Sequence, residues 1–331
     1  MTDRHAPSTA PGGAVVETTD AAQGLIKSMS PARLAMKRYL HHKGAVVSLV
    51  ILLVMALFVL LAPLTARYGV NESVFQTSAE RPNFNLPPQS FAWFGTDDIG
   101  RDLYSRLIYG LRVSLMIGLA AAIMGTLVGV TIGAIAGMRG GLIDDILMRV
   151  TDVFLAFPFL VTLLVARSFL SSIPWLEPVI GGITSVRFVI ALFVIFGWMP
   201  VARLMRGQVL ALKEREFVEA SRALGASNTR IVIQHLVPNS IGPILVALTF
   251  SVSGAIVAES TLGFFGYGPQ PGAGQTSLGN LVGQAKGALL PGYWWLVVFP
   301  CVTLVLVALC VNFIGDGLRD ATDPKLDMGA K

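Results

Sequence analysis

Along this chain, long apolar runs alternate with shorter stretches where charge, proline and glycine collect. Six apolar segments recur, at residues 46–66, 113–137, 153–170, 188–205, 241–262 and 294–314. Each approaches the roughly 20 residues that a helix needs to cross a hydrocarbon core. A backbone in lipid must satisfy its own hydrogen bonds, which a helix does within one segment. The pattern therefore predicts an all-α polytopic membrane protein with six transmembrane helices, the membrane domain covering residues 44–318. Ahead of the first run, Ser30-Pro31 reads as an N-cap followed by proline in the first turn. Leu34, Met36 and Leu40 stand against Arg33, Lys37 and Arg38. This predicts a short amphipathic helix over 30–43, either lying at the membrane interface or extending the first span. Residues 1–29, rich in Ala, Thr, Gly and Pro without periodicity, predict a disordered tail, and 319–331 a second tail. A signal peptide is not expected, because no compact apolar region with a cleavage box precedes the first run.

The most polar interruption, residues 214–243, falls between the fourth and fifth segments. Phe217, Ala220, Leu224, Ile231 and Leu236 recur at roughly helical spacing, broken by Gly225. The prediction is helix, turn, helix, with Asn228 and Thr229 as candidate caps and Pro238 as the stop. Within the second segment, Gly125, Gly129, Gly133 and Gly137 repeat every fourth residue and keep one helix face bare for close packing. Pro158 is a candidate kink in the third, and Trp175 with Tyr293-Trp294-Trp295 mark predicted outer ends.

Composition excludes a soluble globular domain: 53% of the 331 residues are hydrophobic, 14% charged, and the mean hydropathy is +0.67. The net charge of +5 does not point to nucleic acid, because the basic residues flank the apolar runs. They favour one side by about two to one, placing both termini and the 207–239 loop in the cytoplasm and the 67–111 loop outside. Cys301 and Cys310 share one apolar run on opposite helix faces, so they read as free buried thiols.

The sequence lacks G-x-x-x-x-G-K-[ST], HExxH and CxxC motifs, and its four histidines support no hydrolytic arrangement. The chain is not expected to be an enzyme or to bind a cofactor or metal itself. Ionisable residues at membrane depth are expensive. Arg167 reads either as snorkelling to the outer interface or as facing a water-filled path, and Glu259 either as a helix-end contact with the outer loop or as a path-lining acid.

Four blocks resemble the ABC-importer permeases of the oligopeptide and dipeptide branch. Glu219-Ala220-Ser221, Gly225 and His235-Leu236-Val237-Pro238-Asn239 resemble the family's "EAA" coupling loop. FGTDDIGRD at 94–102 with SRLIYG at 105–110 is similar to a signature of that branch. ESTLGFFGYG at 259–268 and GDGLRD at 315–320 followed by Asp323-Pro324 agree with it. Thr276-Ser277-Leu278-Gly279 stands where the family has Pro-Ser-Trp-Gly.

The resemblance implies a type I importer permease fold in a bacterial inner membrane. It implies a sister permease, two ATPase subunits that hold ATP and magnesium, an extracytoplasmic binding protein, and peptide as cargo. Glu219, Ala220, Ser221, Gly225, His235 and Pro238 would form the ATPase-coupling surface. The same family architecture also serves nickel, glutathione and other small solutes. From the residues alone, a secondary transporter or a scaffolding membrane subunit stands as the alternative class.

Overall fold

In a computed structural model, residues 31–75, 84–170, 172–176, 178, 182, 184–269 and 276–322 are described. The expected tail at 1–29, the Ser30 cap and the end of the second tail lie outside these residues. The elements in chain order are α1 (Pro31–His41), α2 (Lys43–Leu60), α3 (Ala62–Thr65), α4 (Leu103–Arg139), α5 (Gly141–Leu155), α6 (Phe159–Leu170), α7 (Val186–Gly197) and α8 (Met199–Leu212). There follow α9 (Glu216–Ala223), α10 (Asn228–Ile231), a π-helical turn (Val232–Leu236), α11 (Val237–Asn239), α12 (Ile241–Phe264), α13 (Leu278–Gln284) and α14 (Trp294–Thr322).

Among the described residues, five stretches are each long and apolar enough to cross a membrane: α2, α4, α7 with α8, α12 and α14. The expected third span, 153–170, is instead a bent pair, α5 and α6 meeting at 96°. The physical cause is Pro158, which cannot donate to the helix ladder and disfavours helical geometry in the residue before it. The apolar window missed most of α5 because Asp144, Asp145, Arg149 and Asp152 lower its average.

Two other boundaries move. The connection before α4, expected over 67–111, ends at Asp102, because Asp102 caps α4, its Oδ2 accepting from the Ser105 N–H at 2.8 Å. At 37 residues α4 is about 55 Å long by helical rise, well beyond a core of about 30 Å. At the other end of the chain, α14 continues to Thr322, past the expected start of the tail at 319.

Helix α4 is the centre of the bundle, packed against α2, α7, α8 and α12. Its glycine face meets α8. A Cβ on Gly133 would fall 2.2 Å from the Ala202 carbonyl oxygen, and one on Gly129 2.6 Å from that of Trp198. Gly137 lies against Val209, while at the wider end of the seam a Cβ on Gly125 would stand 3.9 Å from the Gly197 carbonyl carbon, an ordinary contact. Lipid tails solvate apolar side chains as well as protein does, so this close backbone packing is what holds α8 in place. On the other flank, α12 and α14 pack together and α2 covers α14, with Val252, Ile256, Val307 and Val311 buried between them. Helix α1 folds back onto α14, Tyr39 of α1 and Ala45 of α2 packing around Gly317. Cys310 is buried and Cys301 half-buried, both as free thiols.

Candidate functional site

Two ends of the bundle carry chemistry. At one end α8 runs, after a three-residue turn, into the helix–turn–helix of α9 to α11. Gly225 has φ +82°, a left-handed conformation that costs a residue with a Cβ, and its Cβ direction is open. Ser227, rather than Asn228 or Thr229, caps the second helix, its Oγ accepting from the Arg230 N–H at 3.3 Å. Pro238 opens the short α11 instead of ending the helix, and the chain turns at Ser240.

The apolar positions split in a way the spacing alone did not reveal. Val218, Ile231 and Leu236 are fully buried and hold the hairpin against Met205, Val209 and Ile244. Phe217 and Leu224, which share the helical spacing with them, are 40% and 89% exposed. Glu219 and Ala220 are exposed beside them. The Ser221 hydroxyl donates to the Phe217 carbonyl at 2.7 Å and lies 3.3 Å from His235 Nε2, joining the two helices. The structure thus groups Glu219, Ala220, Ser221, Gly225 and His235 with Phe217 and Leu224 on one projecting hairpin, with Pro238 at its base. Phe217 lies against the His235 ring, centroids 6.2 Å apart, while the Leu224 side chain is open to the outside of the bundle. A contiguous exposed apolar face rimmed by charge is the form of a protein-docking surface.

At the opposite end, the loop before α4 is built around Asp97. Its carboxylate accepts from the Arg101 backbone at 2.9 Å, from Arg101 Nε at 2.7 Å and from Arg106 Nη1. Arg106 is fully buried and also donates to Gln284 Oε1 at 2.9 Å, which ties the loop to α13. Removing one partner of a buried ion pair leaves an uncompensated charge. Asp97→Ala is therefore expected to destabilise this end by about 3–5 kcal/mol, seen as a fall in thermal unfolding temperature of the detergent-solubilised protein; an unchanged transition would show that Arg106 finds other acceptors.

Glu259 and Arg167 sit near this end. Glu259 is fully buried, its Oε2 accepting from Ser114 Oγ at 2.8 Å, and that same oxygen of Ser114 accepts from the Leu278 N–H at 3.1 Å. One carboxylate and one hydroxyl therefore join α12, α4 and α13. Arg167 is held within the protein. It is buried, donates to the Tyr267 carbonyl, and stacks over the Phe188 and Tyr267 rings at 5.9 and 5.3 Å. The reason is tertiary: the turn after α12 comes back over α6 and supplies the acceptor that snorkelling would have sought in the headgroups.

Between these ends, a cavity of about 590 Å³ opens among α4, α7, α8 and α12, closed on one side by the α5–α6 break. Phe159, Phe193, Phe196 and Phe250 form its walls, Thr126 and Ser251 are its polar residues, and no charged side chain lines it. Neither Glu259 nor Arg167 belongs to the lining. The sequence held no mark of this cavity, because its lining comes from residues scattered between 121 and 255 that look like ordinary span residues.

A membrane-spanning helical bundle, with a projecting hairpin at one end and a neutral cavity within, defines the class of a transport permease. The chain matches the family model "Binding-protein-dependent transport system inner membrane component" over residues 129–328, and that of the N-terminal transmembrane domain of oligopeptide transport permease C over 30–88. It belongs to this family of inner-membrane permeases, in which ATP hydrolysis lies in separate subunits. It is 39% identical over 294 residues to the oligopeptide transport system permease protein OppC of Escherichia coli K12, covering 88% of this chain and 90% of that one. To the dipeptide transport system permease protein DppC of Bacillus subtilis it is 38% identical over 299 residues, covering 90% and 87%. Among solved structures, the permease fold resembles a chain of the inward-facing MetNI methionine ABC transporter, with a TM-score of 0.52 at 18% identity, over 65% of this chain and 94% of that one.

Proposed function

We propose that this chain is the transmembrane subunit of an ATP-driven importer of di- or oligopeptides. In this reading it forms half of the translocation path beside a sister permease, and receives cargo from an extracytoplasmic binding protein. The observation that carries the cargo assignment is the agreement of relatives named for oligopeptide and dipeptide transport along about nine-tenths of the chain. The neutral, aromatic-walled cavity suits a cargo whose side chains vary while its backbone stays the same, since no fixed charge in the lining selects for one side chain. The hairpin of α9 to α11 is the coupling element, Phe217, Glu219, Ala220 and Leu224 entering a cleft of one of two ATPase subunits. ATP-driven closure of those subunits then moves the hairpin and switches the permease between its inward- and outward-facing states. Both termini are cytoplasmic, and α1 lies along the inner leaflet.

Proteoliposomes carrying the permease pair, the ATPases and the binding protein should take up radiolabelled trialanine when ATP is enclosed. Uptake of nickel or glutathione instead, with trialanine excluded, would replace the cargo assignment while leaving the permease intact. The orientation has its own check. Ser227 and Gln89 are both exposed; a cysteine at Ser227 should react only with reagent supplied from the cytoplasmic side, and one at Gln89 only from outside. Reaction of both from a single side would remove the coupling reading.

A further inference from the structure

Two ion pairs at the hairpin end of the bundle have no part in the docking surface or the cavity. Arg206 of α8 places Nε and Nη2 at 2.6 and 2.7 Å from the two carboxylate oxygens of Asp144, in the first turn of α5. Asp144 is buried, and the bidentate fork fixes direction as well as distance. One turn back on α8, Arg203 pairs with Asp152, further along α5, at a more exposed position. A buried carboxylate is costly unless it is paired, and the Asp144–Arg206 fork supplies that pairing between two different helices.

Helix α8 is locked to the glycine face of α4 and passes into α9 through a turn held by Lys213 N–H to Val209 O at 2.8 Å and Arg215 N–H to Leu212 O at 3.1 Å. Helix α5 touches α8 only lightly apart from the ion pairs, and it turns Leu142, Ile146 and Val153 outward, 75%, 54% and 53% exposed. At its far end α5 stops at the 96° break, where Leu155 and Phe159 line the cavity. Beyond its chain connection to α4 at Gly140, the ion pairs are what ties α5 directly to α8.

We propose that Asp144–Arg206, with Asp152–Arg203 as a second rung, is the strut that carries displacement of α9 through α8 to α5, and so to the Leu155–Phe159 wall of the cavity. These four are positioning residues for the coupled transport step. The proposal rests on α9 being the docking helix. In the reconstituted transporter, Asp144→Asn is expected to lower trialanine imported per ATP hydrolysed roughly three- to tenfold. Asp152→Asn, whose pair is exposed, should lower it less than about twofold. The swapped double variant Asp144→Arg/Arg206→Asp should recover most of the loss, which ties the effect to the pairing rather than to either side chain alone, and the ratio per ATP hydrolysed separates it from a loss of assembled protein. An unchanged ratio for Asp144→Asn, or a swap no better than its parent single variants, overturns the strut.

A measurement on the intact pair stands beside these in case the variants fail to assemble. Spin labels at Arg149→Cys on α5 and Ala223→Cys on α9, both exposed, should keep their separation between resting and ATP-trapped states to within about 2 Å, the scale of ordinary helix shifts; a larger change overturns the strut. Gly225→Val separates the two readings. If it leaves the ratio intact, the docking assignment fails and the strut with it; if it uncouples while Asp144→Asn does not, the strut alone is wrong.

Discussion

Gly133→Leu, and to a lesser degree Gly129→Leu, will remove folded permease from the membrane, while Leu127→Ala will leave its amount nearly unchanged. Even a methyl group at Gly133 meets the Ala202 carbonyl oxygen at 2.2 Å, and backbone cannot rotate aside as a side chain can. A leucine has to force α8 away from α4 along the whole seam from Gly129 to Gly137. Overpacking of an adaptable core costs about 1–3 kcal/mol, and a backbone obstacle belongs beyond that range. No hydrophobic drive restores the contact in lipid. Leu127 is 63% exposed on another face of the same helix, so its truncation should cost under about 0.5 kcal/mol. Recovery of monodisperse protein in mild detergent reads all three variants; equal recovery of Gly133→Leu and Leu127→Ala would mean that the glycine seam does not hold α8. Because the seam lies within one chain, the loss should appear without the sister permease.

The second large effect is functional. Gly225→Val and Glu219→Lys are each expected to abolish uptake, by tenfold or more on the order of the coupling that a docking helix transmits, with membrane insertion intact. At Gly225 the Cβ direction is open, so the cost of valine is conformational: a β-branched residue at φ +82° is strained by about 1–3 kcal/mol. The turn can relieve that strain only by re-aiming α9 relative to α10. Asparagine tolerates the left-handed region, so Gly225→Asn should retain most uptake. Failure of Asn to do better than Val would trace the defect to bulk rather than to backbone geometry. Glu219 has no role in holding the hairpin together, being exposed on it, so reversal of its charge should act on the partner surface alone. Survival of both uptake and cargo-stimulated ATP hydrolysis in either variant would sink the coupling assignment.

The end-to-end plan of the molecule could be read from its residues. Apolar runs of span length are visible one at a time, because each helix satisfies its own backbone and faces lipid whatever its neighbours do. The projecting hairpin was legible from its charge between two apolar runs and from Gly225, whose backbone requirement is local. The family blocks at 94–110, 219–239, 259–268 and 315–320 carried the class of protein.

What the residues alone left undecided were matters of which surface meets which. The spacing of Phe217, Leu224, Ile231 and Leu236 announced an apolar stripe, but only packing against α8 separated the buried Val218, Ile231 and Leu236 from the exposed Phe217 and Leu224. Arg167 found its acceptor a hundred residues away in sequence, and Asp144 found Arg206 at a separation of 62. The third span broke where Pro158 made a kink expected, yet the 96° angle between α5 and α6 is a property of the folded bundle. The physical division is one of range. Hydrogen bonding within a helix and transfer of its side chains to lipid are settled by residues within a turn or two of one another, so the sequence determined the spans, the hairpin and the bare glycine face. The partner of a buried charge, the helix that fills a glycine groove and the lining of a cavity depend on groups brought together only when the bundle closes, and these the tertiary structure decided.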